Sequence, residues 1–183
     1  FLEKIKTINK QIKLIEKLVN EFSDFARMPK PIFKKNELNR IIKDTINLMK
    51  TNDKNIKINF DTEKIYYVKS DIEQLNRVFI NLFKNSIESL KEKHEKKGDF
   101  QKKIDVEIQL INDYISIVIQ DNGTGFTNND LKTLSKPYFT TKKEGSGLGL
   151  SIVEKILNDH NGFIEFISQK EGAKIRILLP KYV

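Results

Sequence analysis

Two asparagines stand four residues apart in Asn81-Leu82-Phe83-Lys84-Asn85-Ser86. On a helix that spacing puts both amides on one face. An amide oxygen is a hard, neutral ligand, suited to a magnesium ion that already carries phosphate oxygens and water. Asn85 and Asn81 are therefore candidate metal ligands, and Lys84 between them is a candidate to neutralise phosphate. Each also has a plain reading, as a polar residue on an exposed helix face. A second cluster, Asp121-Asn122-Gly123-Thr124-Gly125, directly follows a strand pattern. A carboxylate at a strand end can accept a hydrogen bond from an adenine amino group, and Gly123 and Gly125 let backbone approach a ligand closely. The plain alternative is a hairpin turn.

A third cluster, Gly145-Ser146-Gly147-Leu148-Gly149-Leu150, opens a helix. Exposed backbone N–H groups and the positive end of the helix dipole favour phosphate there. The GxxxxGK[ST] pattern of a P-loop is absent, and the strand-turn-helix unit of a dinucleotide fold does not fit. Between the two glycine clusters runs Lys136-Pro137-Tyr138-Phe139-Thr140-Thr141-Lys142, whose aromatic anchors and cations suit a lid.

Elements must hold these residues in place. A helix is expected from Phe1 to Arg27, with Phe1, Ile5, Ile8, Ile12, Ile15, Val19, Phe22 and Ala26 in alternating steps of four and three, a heptad seam. Leu14, Leu18 and Phe25 widen the stripe as a bundle helix requires. The seam needs a partner, and a second copy of the chain is the simplest; folding back on its own domain is the alternative. Met28-Pro29-Lys30-Pro31 ends the helix and marks a domain boundary. Next come a helix over Glu37 to Lys50 with Asn36 as N-cap, and strands over Ile56 to Phe60 and Ile65 to Val68.

Ser70-Asp71-Ile72-Glu73 reads as a capping box with Ser70 as N-cap, opening a long helix through Lys91. Lys91 to Lys103 reads as a polar loop. Ile104 to Ile111 and Tyr114 to Gln120 form a hairpin over Asn112-Asp113. A short helix is expected near Asn128 to Leu134, another from Gly147 to Gly162, and a last hairpin of Phe163 to Ser168 with Ala173 to Leu179, turning at Glu171-Gly172.

The chain has 183 residues, no cysteine and two histidines, His94 and His160. Disulfides and cysteine metal sites are excluded, and a histidine cluster is not expected. The net charge of +8 is carried mostly by lysines scattered among Asp and Glu, which reads as a solvated surface rather than a nucleic-acid site. No apolar run approaches the roughly 18 residues of a membrane helix. Because the first residue is Phe1, the stretch is expected to be a piece of a longer protein.

Singly these clusters are weak, but their order is specific. It resembles the GHKL ATPase superfamily, the Bergerat fold of histidine kinases, type II topoisomerases, mismatch-repair ATPases and heat-shock chaperone ATPases. The asparagine box, first glycine box, aromatic lid box and second glycine box match Asn81–Asn85, Asp121–Gly125, Pro137–Phe139 and Gly145–Gly149. The resemblance implies an α/β (α+β) two-layer sandwich with a mixed, mostly antiparallel sheet, preceded by a long dimerisation helix. It also implies ATP and Mg²⁺ as cofactors, held by Asn81, Asn85, Asp121, Gly123, Gly125, Phe139, Thr141, Lys142, Gly145, Gly147, Leu148 and Gly149. In hydrolytic members a glutamate four residues before the magnesium asparagine activates water; here that place holds Asn81, which suits a kinase.

The junction Glu21 to Pro31 resembles that of NtrY-type nitrogen-regulation sensor kinases. On that resemblance residues 1–28 are the second helix of a dimerisation hairpin and 29–183 the ATP-binding domain. The phosphoacceptor histidine is then expected upstream of Phe1, since His94 lies in a charged, solvated stretch and His160 at a helix end where a cation complements the dipole. The implied partners are a second copy of the chain and a response-regulator receiver domain, with no nucleic acid, and any membrane anchor is expected upstream. The implied place is the cytoplasmic face of the inner membrane. The rival reading is a non-catalytic dimeric nucleotide-binding regulatory module.

Overall fold

The computed structural model describes residues 2–52, 55–126, 134 and 147–182. Its elements run α1 (Leu2–Ala26), β1 (Lys34–Glu37), α2 (Leu38–Asn52), β2 (Lys57–Phe60), β3 (Tyr67–Ser70), α3 (Ile72–Lys97), β4 (Lys103–Ile111), β5 (Tyr114–Asp121), α4 (Gly149–Asp159), β6 (Phe163–Ile167) and β7 (Lys174–Pro180). Five strands form one sheet in the order β2-β4-β5-β7-β6, and β1 pairs with β3 in a second. Only β2 and β4 run parallel in the large sheet. This is the expected mixed, mostly antiparallel architecture.

One layer is this sheet and the other is α2, α3 and α4. Helix α3 forms because its apolar residues recur at three and four: Leu75, Val78, Phe79, Leu82, Phe83, Ile87 and Leu90 are all buried. They rest on the inward row of the sheet. Ile115, Ile117 and Ile119 of β5 lie opposite Leu179, Ile177 and Ile175 of β7, and all six are buried. The strand period of two puts Asp121 on that same inward row. Strand geometry, not loop chance, thus aims its carboxylate under α3.

The expected hairpin over Asn112-Asp113 is present, with Asn112 at φ 54. Four expectations need correction. Asn36 is not a helix cap: it lies in β1, and its amide donates to Ser70 O at 2.8 Å and to Ser70 Oγ at 3.1 Å. Ser70 therefore ends β3, and the N-cap of α3 is Asp71, whose Oδ1 accepts from Glu73 N and Gln74 N at 3.0 and 3.1 Å. The stretch expected to be a loop from Lys91 continues α3 to Lys97, and Gly98 at φ 82 stops it. His160 is no cation at a helix end. It is 4% exposed, bonds through Nδ1 to Ile156 O at 2.7 Å, and accepts at Nε2 from Asp71 N at 3.0 Å. Only a neutral ring can accept. The short helix expected near Asn128 lies outside the described residues, Leu134 apart.

Residues after α1 are fastened to the start of α3. Gln74 Nε2 donates to Pro29 O at 2.9 Å, Ile32 N donates to Asp71 Oδ2 at 2.8 Å, and Phe33 meets the His160 ring edge-on at 5.1 Å. Along α1 the seam residues Ile5, Ile8, Ile12, Ile15, Val19 and Phe22 are exposed. Among the described residues no helix is long and apolar enough to cross a membrane.

Burial holds the His160 pKa below its ordinary value, against the opposing pull of its bond to Ile156 and of the nearby Asp71 and Asp159 charges. The unfolded chain therefore takes up a proton that the folded ring refuses. This contribution to stability is complete above the unfolded pKa and declines as pH falls from about 6.5 toward the folded value. The urea midpoint of the chain should drop between pH 7 and pH 5.5, and His160→Gln should flatten that drop. Equal slopes for the two proteins would count against the neutral, buried ring.

Candidate nucleotide site

The site gathers where α3, the end of β5, the β6–β7 turn and the start of α4 meet. Helix α3 contributes a ridge at four-residue spacing: Asn81, Asn85, Ser89 and Lys93. Asn81 is half-buried, and its Nδ2 donates to Arg77 O at 2.9 Å. A Cβ added at Gly149 would lie 3.3 Å from Asn81 Oδ1. The asparagine pair and the second glycine cluster, far apart in sequence, are therefore neighbours. Asn85 is half-buried one turn further on, and Lys84 beside it is exposed.

Asp121 is 4% exposed. Its Oδ1 accepts from Gly123 N at 2.9 Å and from Ala173 N at 3.1 Å, and Ser86 supplies a side-chain hydrogen bond. Desolvation nevertheless pushes its pKa above the ordinary value; the bonds from Gly123, Ala173 and Ser86 and the Lys93 charge offset it only in part. The sign follows. A carboxylate with a raised folded pKa disfavours folding when ionised, and this cost sets in as pH rises through that window. A buried carboxylate with a perturbed pKa marks a candidate functional site.

Glycines are needed here because chains cross at contact. Gly172 has φ +70, and a Cβ on it would sit 1.8 Å from Asp121 O. At Gly123 a Cβ would meet Ser89 Oγ at 2.3 Å and the Ser89 backbone carbon at 2.9 Å. Gly125 packs the same way against Gly172 O. Thr124 N donates to Ser89 Oγ at 2.9 Å. The first glycine cluster is thus pressed between α3 and the β6–β7 turn.

At α4 the N-cap position is Leu148, 1% exposed and with no side-chain cap bond; Gly147 before it has φ 70. The positive end of a helix dipole favours an anion at such a start. Phe139, Thr141, Lys142 and Gly145, expected in the lid and the second glycine cluster, lie outside the described residues. Ser86, Ser89 and Lys93 were not singled out by the sequence, and the Glu171-Gly172 turn was expected only as a hairpin turn. The four-residue spacing from Asn81 was the one signal that could have reached Ser89 and Lys93.

This arrangement fits a nucleotide site: a buried carboxylate acceptor, paired helical amides, and a glycine-opened helix start beside Asn81. The comparisons agree. The chain belongs to the histidine kinase-, DNA gyrase B- and HSP90-like ATPase family, which matches residues 70–183. It is 34% identical over 176 residues to the nitrogen regulation protein NtrY of Azorhizobium caulinodans, covering 94% of this chain and 23% of that protein. The chain thus spans about a quarter of the length of the curated relatives it matches. Among solved structures it resembles the nucleotide-free catalytic domain of the histidine kinase ThkA, with a TM-score of 0.72, 27% identity, and coverage of 82% of this chain and 96% of that one. ThkA in complex with the response regulator TrrA matches in fold with a TM-score of 0.75 and 23% identity, over 98% of this chain and 51% of that one. The Bergerat fold expected from the sequence is therefore the one observed.

Gly172→Ala should lower stability by more than the roughly 1–2 kcal/mol that a left-handed alanine costs, because its Cβ must also displace Asp121. Urea unfolding measures this. A loss below about 1 kcal/mol would mean that the turn and the Asp121 strand are not in contact.

Proposed function

We propose that this chain is the ATP-binding catalytic part of a two-component sensor histidine kinase. It would place the γ-phosphate of ATP·Mg²⁺ for transfer to a histidine upstream of Phe1, and a response-regulator aspartate would receive the phosphoryl group next. The observation that carries this reading is Asn81. A neutral amide occupies the place on α3 that touches Gly149, so no carboxylate stands there to activate water. A site built this way positions and stabilises charge, which is what phosphoryl transfer demands.

In this reading Asp121 accepts from the adenine amino group. Asn85 ligates Mg²⁺ and Asn81 supports or shares it. Gly147, Leu148 and Gly149 offer α4 backbone donors to phosphate, while Gly123 and Gly125 let the loop lie close to the base. Lys84 and, in the lid, Lys142 would neutralise phosphate, with Phe139 and Thr141 of the lid and Gly145 of the second glycine cluster completing the triphosphate site. Residues 1–28 would be the second helix of a dimerisation hairpin, with 29–183 as the catalytic domain. The exposed heptad seam of α1 supports a homodimer. A membrane anchor would belong to upstream segments, with this part on the cytoplasmic face.

Three experiments follow. Asp121→Asn keeps an oxygen for Gly123 and Ala173 but cannot hold a carboxylate toward adenine. Removing a charged hydrogen bond worth about 1.5–3 kcal/mol should weaken ATP binding roughly ten- to a hundredfold. Its melting temperature at pH 7 should equal or exceed that of the parent, since the buried charge is gone. In the same series the parent chain, mixed with a separate acceptor-histidine fragment and labelled ATP, should label the fragment only with Mg²⁺. Tight ATP binding without labelling would favour a non-catalytic regulatory module; unchanged affinity in Asp121→Asn would remove Asp121 from the site. For the helix, Ile12→Glu with Ile15→Glu should turn the intact protein from dimer to monomer in sedimentation, and a persisting dimer would refute the seam.

A further inference from the structure

Lys93 is a buried lysine that the roles above leave unused. It lies two turns beyond Asn85 on the ridge of α3, about 12 Å along the helix axis, too far to act as a phosphate ligand. It is 7% exposed. A buried ammonium is costly unless its bonds are made. Here they are made: Nζ donates to Asn122 O at 2.6 Å and to Glu171 Oε1, and sits 4.8 Å from the Phe100 ring centroid.

Those partners matter because of what lies behind them. Asn122 O and Gly123 N belong to one peptide group, and that N–H donates to Asp121 Oδ1. The peptide is planar, so fixing its oxygen fixes the direction of its N–H. A cation on the carbonyl also polarises the amide and strengthens it as a donor. Glu171 lies two residues before Ala173, whose N–H is the other donor to Asp121 Oδ1. One ammonium therefore holds both segments that orient the carboxylate. The Asn122 side chain completes the brace from the sheet, accepting from Lys103 N and donating to Gln101 O, each at 2.9 Å.

We infer that Lys93 is a positioning residue for purine recognition. Without touching the nucleotide, it sets the carboxylate of Asp121 through the Asn122–Gly123 peptide and the Glu171 turn, so that the site selects a 6-amino purine. This deepens the proposed ATP site and rests on that reading. A positioning role differs from a merely structural one in what it changes. Loosening the domain weakens all nucleotides alike, whereas misaiming Asp121 weakens only those that carry the amino group.

The test compares ATP with purine riboside triphosphate, which lacks that group, in equilibrium binding to the 183-residue chain. The parent should prefer ATP by about tenfold. Lys93→Met should lose most of that preference, with ATP affinity falling about tenfold and analogue affinity nearly unchanged. Glu171→Ala alters an exposed turn residue and should narrow the preference about threefold. Preference kept at the parental value in both variants would overturn the inference, as would an equal loss for both nucleotides in Lys93→Met. If Lys93→Met does not fold, Glu171→Ala decides: a narrowed preference supports the brace and an unchanged one refutes it. A parent chain that binds both nucleotides equally removes the adenine role of Asp121 and this inference together. That failure is distinguishable because it shows before any substitution.

Discussion

The Asp121 carboxylate governs this molecule. It ends the inward row of the central strand β5, lies under α3, and is almost wholly removed from water. A charge so placed must be given donors, and two backbone N–H groups from different segments supply them. To bring Gly123 N and Ala173 N to one oxygen, the loop after β5 and the β6–β7 turn have to cross at van der Waals contact. That crossing is why Gly172 cannot carry a side chain and why Gly123 presses on Ser89. The glycines of the first cluster are thus demanded by the packing that seats the carboxylate.

Helix α4 is tied to α3 at both ends, and this joins the start of α4 to the chain entering from α1. At its start, Gly149 lies against Asn81. At its end, neutral His160 accepts from Asp71 N, while Asp71 itself caps α3 and holds Ile32. The residues that follow α1 are therefore bonded to the same short cluster that fixes the far end of α4. Desolvation opposes ionisation of Asp71, but its bonds from Ile32, Gln74 and Glu73 together outweigh it and lower its pKa.

Much of this was legible in the sequence, for physical reasons that differ by element. Apolar periodicity located α3 and the β5 and β7 strands because those elements bury one face each. The Asn112-Asp113 turn was readable because a positive φ favours Asn. The placement of Asn81 and Asn85 on one helix and of Asp121 at a strand end was readable because their spacing and order follow the elements they sit on. Strand β1 was not, since Lys34-Lys35-Asn36-Glu37 has no apolar alternation and is a strand only by pairing with β3. The cap shifted from Ser70 to Asp71 because Asn36, 34 residues away, engages Ser70. Lys93 hid in a charged run that composition makes look like a solvated loop, and the neutrality of His160 depends on a donor 89 residues distant. What local sequence cannot show are the partners that only the fold brings near.

The central claim is that one nucleotide site joins the α3 ridge, the loop after β5 and the start of α4. Amide proton–nitrogen spectra of the isotopically labelled chain, titrated with a non-hydrolysable ATP analogue and Mg²⁺, test it most directly. Saturable shifts should concentrate on Asn81 to Ser89, Asp121 to Thr124, Gly147 to Gly149, and the Gly172-Ala173 turn that shares the Asp121 carboxylate. Shifts confined to lysine-rich surface elsewhere, or no saturable shift at all, would contradict it.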